Sequence, residues 1–169
     1  MQDIVIWDKF IRCFHWATVV IVVLNYFVLE DSWHNYLGYC LLCLLIARLA
    51  WGLCGSHNAR FTSFLPSPSK IKQHIKHLRT NTIPISEGHN PIGGMMIFLL
   101  LTLLFLVSIT GWMITLDAFW GVEWVEDAHE IIANLIAIAV MIHILAVLIM
   151  SKLSNRNLIM TMFTGYRKQ

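Results

Sequence analysis

HEIIANLIAIAVMIH, residues 129–143, is an apolar stretch with an imidazole at each end. Between the two histidines lie Glu130, Asn134 and otherwise only Ile, Ala, Leu, Val and Met. Read as a helix, fourteen residues rise about 21 Å and turn through about four full turns less 40°. The rings of His129 and His143 therefore share nearly one face at two depths. On that face the intervening positions are Ala133 or Ile132, Ile136 and Val140, and the small Ala133 and Ala137 leave room for something flat against the helix. Two separate ligands, one above the other, would need this spacing.

The rest of the chain has the same character. Its 169 residues suit one domain, but 57% are hydrophobic and only 13% charged, with a mean hydropathy of +0.66. That excludes an ordinary soluble domain. Four stretches, roughly 13–29, 36–55, 95–116 and 131–151, are long enough to cross a bilayer core of about 30 Å. The fold class expected is all-α: an integral membrane four-helix bundle running up-down-up-down, a single domain over 1–169. The N-terminus lacks the pattern of a secretory signal, so the first apolar run reads as a permanent span. Cys13, Cys40, Cys43 and Cys54 fall in or beside the first two spans and read as small apolar helix residues. No C-x-x-C-H occurs, which excludes covalent c-type haem attachment on that pattern.

Charge orients the bundle. The 12 Lys and Arg side chains all fall before span one, around the end of span two and its following loop, or after span four. The positive-inside rule then puts both termini and the loop 56–94 of this multi-pass chain in the cytoplasm. Within that loop Ser69 is a candidate cap, with Ile71, Ile75 and Leu78 on one face and Lys70, Lys72, Lys76 and Arg79 around it. A short basic amphipathic helix on the inner membrane surface is expected there. The opposite side is acidic: Glu30, Asp31, Asp117, Glu123, Glu126, Asp127 and Glu130. Solvation alone accounts for such a face; a docking surface for a cationic partner accounts for it equally well. Nothing in the sequence points to nucleic acid.

An ionisable residue within a span is a functional hypothesis, although a helix–helix hydrogen bond explains a lone histidine as well. Several taken together say more. His34 lies two residues before span two and His129 two before span four, both at the outer edge. His15 lies roughly 5 Å in from the inner end of span one and His143 roughly 12 Å in from that of span four, depths that agree within boundary uncertainty. Pairing His15 with His129 would require reaching across the membrane. Two His pairs at two depths suggest two b-type haems, each held between imidazoles of facing helices. Zinc fits less well, because it needs more ligands per site; a plain polar contact within the bundle is the bland alternative.

FHW at 14–16, H-x-x-x-G from His34 to Gly38 with Arg48 ten residues beyond, GHNPIGG at 88–94, TGW at 110–112, and HE with a histidine fourteen residues after its first are what carry a resemblance. In this order, over nearly the whole chain, they resemble the prokaryotic cytochrome b561 family, which groups with the b-type cytochrome subunits of membrane hydrogenases. The resemblance implies a four-helix, di-haem, quinone-linked electron carrier of the respiratory chain. Carried over by motif, His15 and His143 would hold the inner haem iron and His34 and His129 the outer. Gly38 and Gly111 would be small residues beside the rings, with helix packing as the competing account. Arg12, Arg48 and Arg60 would meet haem propionates, with positive-inside anchoring as the competing account.

Pro91 suits the first turn of span three with Asn90 as its cap. His89 is a spare inner histidine that could replace His15, and His89 with Asn90 is a candidate quinone site by analogy with related cytochromes. Two functions follow from the resemblance. One is an electron relay between the quinone pool and a basic periplasmic redox protein such as a c-type cytochrome. The other is a superoxide:quinone oxidoreductase, which the acidic outer face disfavours by repelling an anion. A non-redox scaffold or transporter is the third reading.

Overall fold

The computed structural model describes residues 4–28, 31–63, 65, 72 and 91–167. Four long helices dominate: α1 (Lys9–Phe27), α2 (Asp31–Cys54), α3 (Pro91–Ile114) and α4 (Glu123–Leu153). All four are long and apolar enough to cross a membrane. The amphipathic helix expected between 69 and 79 lies outside the described residues except for Lys72, as do His89 and Asn90.

Helix α1 starts at Asp8, whose carboxylate accepts from the Ile11 amide at 2.8 Å. This N-cap satisfies one of the donors that a first turn leaves open. Pro91 is the first residue of α3, where a missing N–H costs nothing. Helix α4 begins at Glu123, well before the apolar run starting at 131. Its first turns are amphipathic, with Val125 fully buried and Glu123, Glu126 and Asp127 exposed. Both His34 and His129 therefore lie inside helices rather than ahead of them.

Consecutive helices pack against each other, α3 most closely on α4, while α1 and α4 approach far less closely. The buried core is Ile21, Leu41, Leu45, Leu101, Leu104 and Ile136, drawn from all four helices. Outward faces are apolar too: Val20, Ile46, Leu106 and Leu145 are exposed. A bundle apolar inside and out, with its backbone bonds closed within helices, is what a bilayer demands. All four cysteines are free and exposed, which suits small apolar residues on such faces.

At the end of the bundle where α1 begins and α4 finishes, the termini meet. Strand β1 (Ile4–Val5) pairs antiparallel with β2 (Tyr166–Arg167). Between α4 and β2 runs a short helix, α5 (Leu158–Thr164), capped by the Asn157 side chain on Met160 N at 2.8 Å. It stops at Gly165, whose φ of 83° is left-handed. A Cβ there would lie 2.7 Å from the Trp7 carbonyl, so glycine meets both the conformational and the steric demand. Trp16 stacks on Phe163 with centroids 4.1 Å apart, fixing α5 against α1. Asp8 also accepts from the Trp51 indole at 3.0 Å and from the Ser56 hydroxyl, tying α1 to the end of α2.

Candidate functional site

The outer site draws on all four long helices, with its two imidazoles on α2 and α4. His34, in the first turn of α2, faces His129 on α4, with ring centroids 6.1 Å apart and planes at 69°. Both rings are half-buried. They line one partly open cavity with Asn25, Gly38, Gly111 and Ala133. Leu41, Leu104 and Ile136 line it too and belong to the buried core.

Glycine matters twice here. At Gly38 an added Cβ would meet nothing within 4 Å, so the helix surface stands open to the cavity. At Gly111 a Cβ would come to 2.9 Å from His129 Cε1. Only a residue without a side chain lets α3 pass this close to the imidazole. The preceding residue, Thr110, places its hydroxyl 3.1 Å from His129 Nδ1.

The second pair expected from the sequence, His15 and His143, stands on α1 and α4. Both are half-buried. Around this depth several buried polar atoms have no hydrogen-bond partner among the described residues: His15 Nδ1, Trp16 Nε1, Thr18 Oγ1 and Arg12 Nε. Leaving such groups unmet costs roughly 1–3 kcal/mol each, so a site that receives a polar group is the economical reading. Ile136, midway between His129 and His143, is buried in the apolar core separating the two levels.

The arginines sit at the same end as the paired termini. Arg12 donates from Nη1 to the Phe163 carbonyl at 2.7 Å. Arg48 is 4% exposed, donates from Nη2 to the Ala59 carbonyl at 3.2 Å, and lies 4.8 Å over the Phe61 ring. Its Nη1 is buried without a partner among the described residues. Arg60 donates from Nε to the Gly55 carbonyl at 2.8 Å and is exposed. Each arginine thus has a structural bond, and Arg12 and Arg48 keep an unused buried donor.

Sequence reasoning missed three things. Thr110 stood inside the quoted TGW without a role of its own. Tyr26 bridges α1 to α4 by donating to Asn134 Oδ1 at 2.7 Å. Asp8 carries the joint between α1 and α2. The signal for Asp8 was present, since an acid before an apolar run marks an N-cap; nothing local signals the other two.

A four-helix bundle fit to span a membrane, with two imidazoles facing each other beside a largely apolar cavity, has the form of the membrane proteins that hold a flat prosthetic group between helices. Within that class the chain belongs to the prokaryotic cytochrome b561 family, which matches residues 6–165. It is thereby a haem b electron-transfer protein of the membrane. No curated protein and no solved structure matches the chain.

The residues fit that cofactor. A metal–imidazole bond of about 2 Å on either side, with half of each ring, puts two coordinating imidazoles roughly 6 Å apart between centroids; His34 and His129 are 6.1 Å apart. The cavity beside them is open at Gly38 and apolar in its lining, as a porphyrin requires. Among the described residues no three His, Cys, Asp or Glu side chains converge.

Proposed function

We propose that this protein relays electrons across the bacterial inner membrane between the quinone pool and a periplasmic redox partner such as a c-type cytochrome. In this reading His34 and His129 hold an outer haem b and His15 and His143 an inner one. The observation that carries it is the 6.1 Å spacing of His34 and His129 over a shared cavity. Bound there, haem supplies one-electron chemistry.

The chain does the rest. With His34 and His129 holding one haem and His15 and His143 the other, the chain would offer neither group a free place for O₂ or substrate, which would favour electron transfer over oxygen chemistry. Gly38 and Gly111 give the outer ring its space. Arg12 and Arg48, through their unused buried donors, and the exposed Arg60 are the cations for propionates at the inner end. His89 and Asn90 are the proposed quinone contacts at that same end. The basic end faces the cytoplasm, by the positive-inside rule. The His129 and His143 levels are about 21 Å apart along α4, so passage between them crosses much of the bilayer. Each electron then works with or against about 2.3 kcal/mol per 100 mV of membrane potential.

Partner choice follows from charge. Asp117, Glu123, Glu126, Asp127 and Glu130 are all exposed at the outer end, and no described Lys or Arg joins them. Such a face attracts a basic protein and repels an anion. The test is electron exchange in proteoliposomes containing quinone, with a basic c-type cytochrome outside. Exchange in either direction, weakening with salt, is expected. Reduction of quinone by superoxide with no exchange with the cytochrome would replace the relay by a superoxide:quinone oxidoreductase.

A further inference from the structure

The geometry points to Thr110 as the residue that fixes the tautomer and rotation of His129, and so sets the potential of the haem held at the outer site. The inference rests on the haem reading above. Thr110 is 9% exposed and sits on α3 where α3 passes closest to the His129 ring. Its Oγ1 is 3.0 Å from the Leu106 carbonyl and 3.1 Å from the Val107 carbonyl of its own helix. The hydroxyl has one hydrogen, which those carbonyls take. Its lone pairs are what it can offer His129 Nδ1 at 3.1 Å.

The ring must then be the donor. A neutral imidazole that carries its proton on Nδ1 has its lone pair on Nε2. That nitrogen is the one left to bind iron in the cavity shared with His34. Gly111 completes the clamp, since its missing side chain lets Thr110 come this near the ring. An acceptor on the remote ring N–H makes a ligating imidazole more basic. A more basic axial ligand favours the ferric state and lowers the potential. Thr110 is a positioning residue in this scheme, acting through His129.

A threonine in an apolar helix also bonds back to its own carbonyls for purely structural reasons, and the test must separate the two roles. Purified protein is titrated potentiometrically as wild type, Thr110→Val and Thr110→Ser, with the outer haem assigned as the one lost in His34→Ala. Thr110→Val keeps the shape and deletes the acceptor. Expected is an upward shift of the outer potential only, by about tenfold in the ferric-to-ferrous balance, or ~59 mV for one electron. Thr110→Ser should stay at the wild-type value. Two haems with unmoved potentials in Thr110→Val would overturn the assignment, as would an equal shift in Thr110→Ser. If Thr110→Val loses the outer haem, retention in Thr110→Ser but not Thr110→Ala supports the role, and loss in all three overturns it. A wild type without b-type haem would instead overturn the haem reading beneath it, and this assignment with it.

Discussion

His129 sits against Gly111 so closely that a single methyl at position 111 would come to 2.9 Å from the imidazole Cε1. The imidazole and the neighbouring helix are therefore packed as one unit. The ring's freedom is set by α3, not by α4 alone.

Replacing that glycine should dislodge the ring. Gly111→Ala is expected to weaken or abolish haem at the outer site while leaving helix content unchanged, as measured by haem per chain and circular dichroism. Gly38→Ala, with nothing within 4 Å of the added carbon, should be tolerated. Gly38→Leu should fill the cavity and exclude the cofactor. Equal haem content in Gly111→Ala and wild type would show that the ring has slack.

Arg48 predicts a stability effect. Its guanidinium is buried, bonded to the Ala59 carbonyl and laid over Phe61. A hydrogen bond from a charged group is worth roughly 1.5–3 kcal/mol, so Arg48→Ala should lower stability by about 2 kcal/mol or more, read by unfolding in detergent. Arg48→Lys should recover only part, because an ammonium cannot both stack and fork. Loss of inner haem in Arg48→Lys without loss of fold would add the propionate role.

Asp8 gives the pH dependence. Burial pushes its carboxyl up, but the hydrogen bonds from Ser56, the Ile11 amide and Trp51 outweigh that and hold it below its ordinary 3.8. A carboxylate with a depressed folded value stabilises the fold above its unfolded value, and the contribution is lost as pH falls through the folded one. Stability should therefore drop below about pH 4. Asp8→Asn should flatten that acid limb and, through the weakened cap and joint, cost roughly 1 kcal/mol at neutral pH. Parallel acid limbs in the two proteins would count against Asp8 as the titrating group.

Much of this architecture was legible in the chain. The four apolar runs became α1 to α4, because twenty apolar residues in lipid have few alternatives to a helix. The matching depth of His34 and His129 was readable for the same reason: span ends fix depth. Helix starts were less readable, since α4 begins with an amphipathic turn around Val125 that no apolar run announces. The pairing of Ile4–Val5 with Tyr166–Arg167 was invisible, because two-residue strands have no pattern and their partners lie at opposite ends of the chain. Helix α5 was overlooked although Asn157 caps it, being too short to show a period. Thr110 was hidden in plain view: its role depends on which ring faces it, and that is a tertiary fact.

The acidic rim predicts a kinetic effect. Steered association falls with ionic strength as the Debye length shrinks from about 10 Å at 0.1 M salt to about 3 Å at 1 M. Exchange with a basic cytochrome should slow by tenfold or more over that range. Neutralising Glu126, Asp127 and Glu130 together should reduce both the low-salt rate and its salt dependence. A rate indifferent to salt would remove the rim from partner recognition.

The central claim is that His34 and His129 hold one haem and His15 and His143 another. Haem quantitation with reduced-minus-oxidised spectra on purified wild type and the four single His→Ala variants tests it directly. Two b-type haems per wild-type chain are predicted, with His34→Ala and His129→Ala losing the same spectral component and His15→Ala and His143→Ala losing the other. Absence of a b-type signal in the wild type, or loss of different haems from His34→Ala and His129→Ala, would contradict the account.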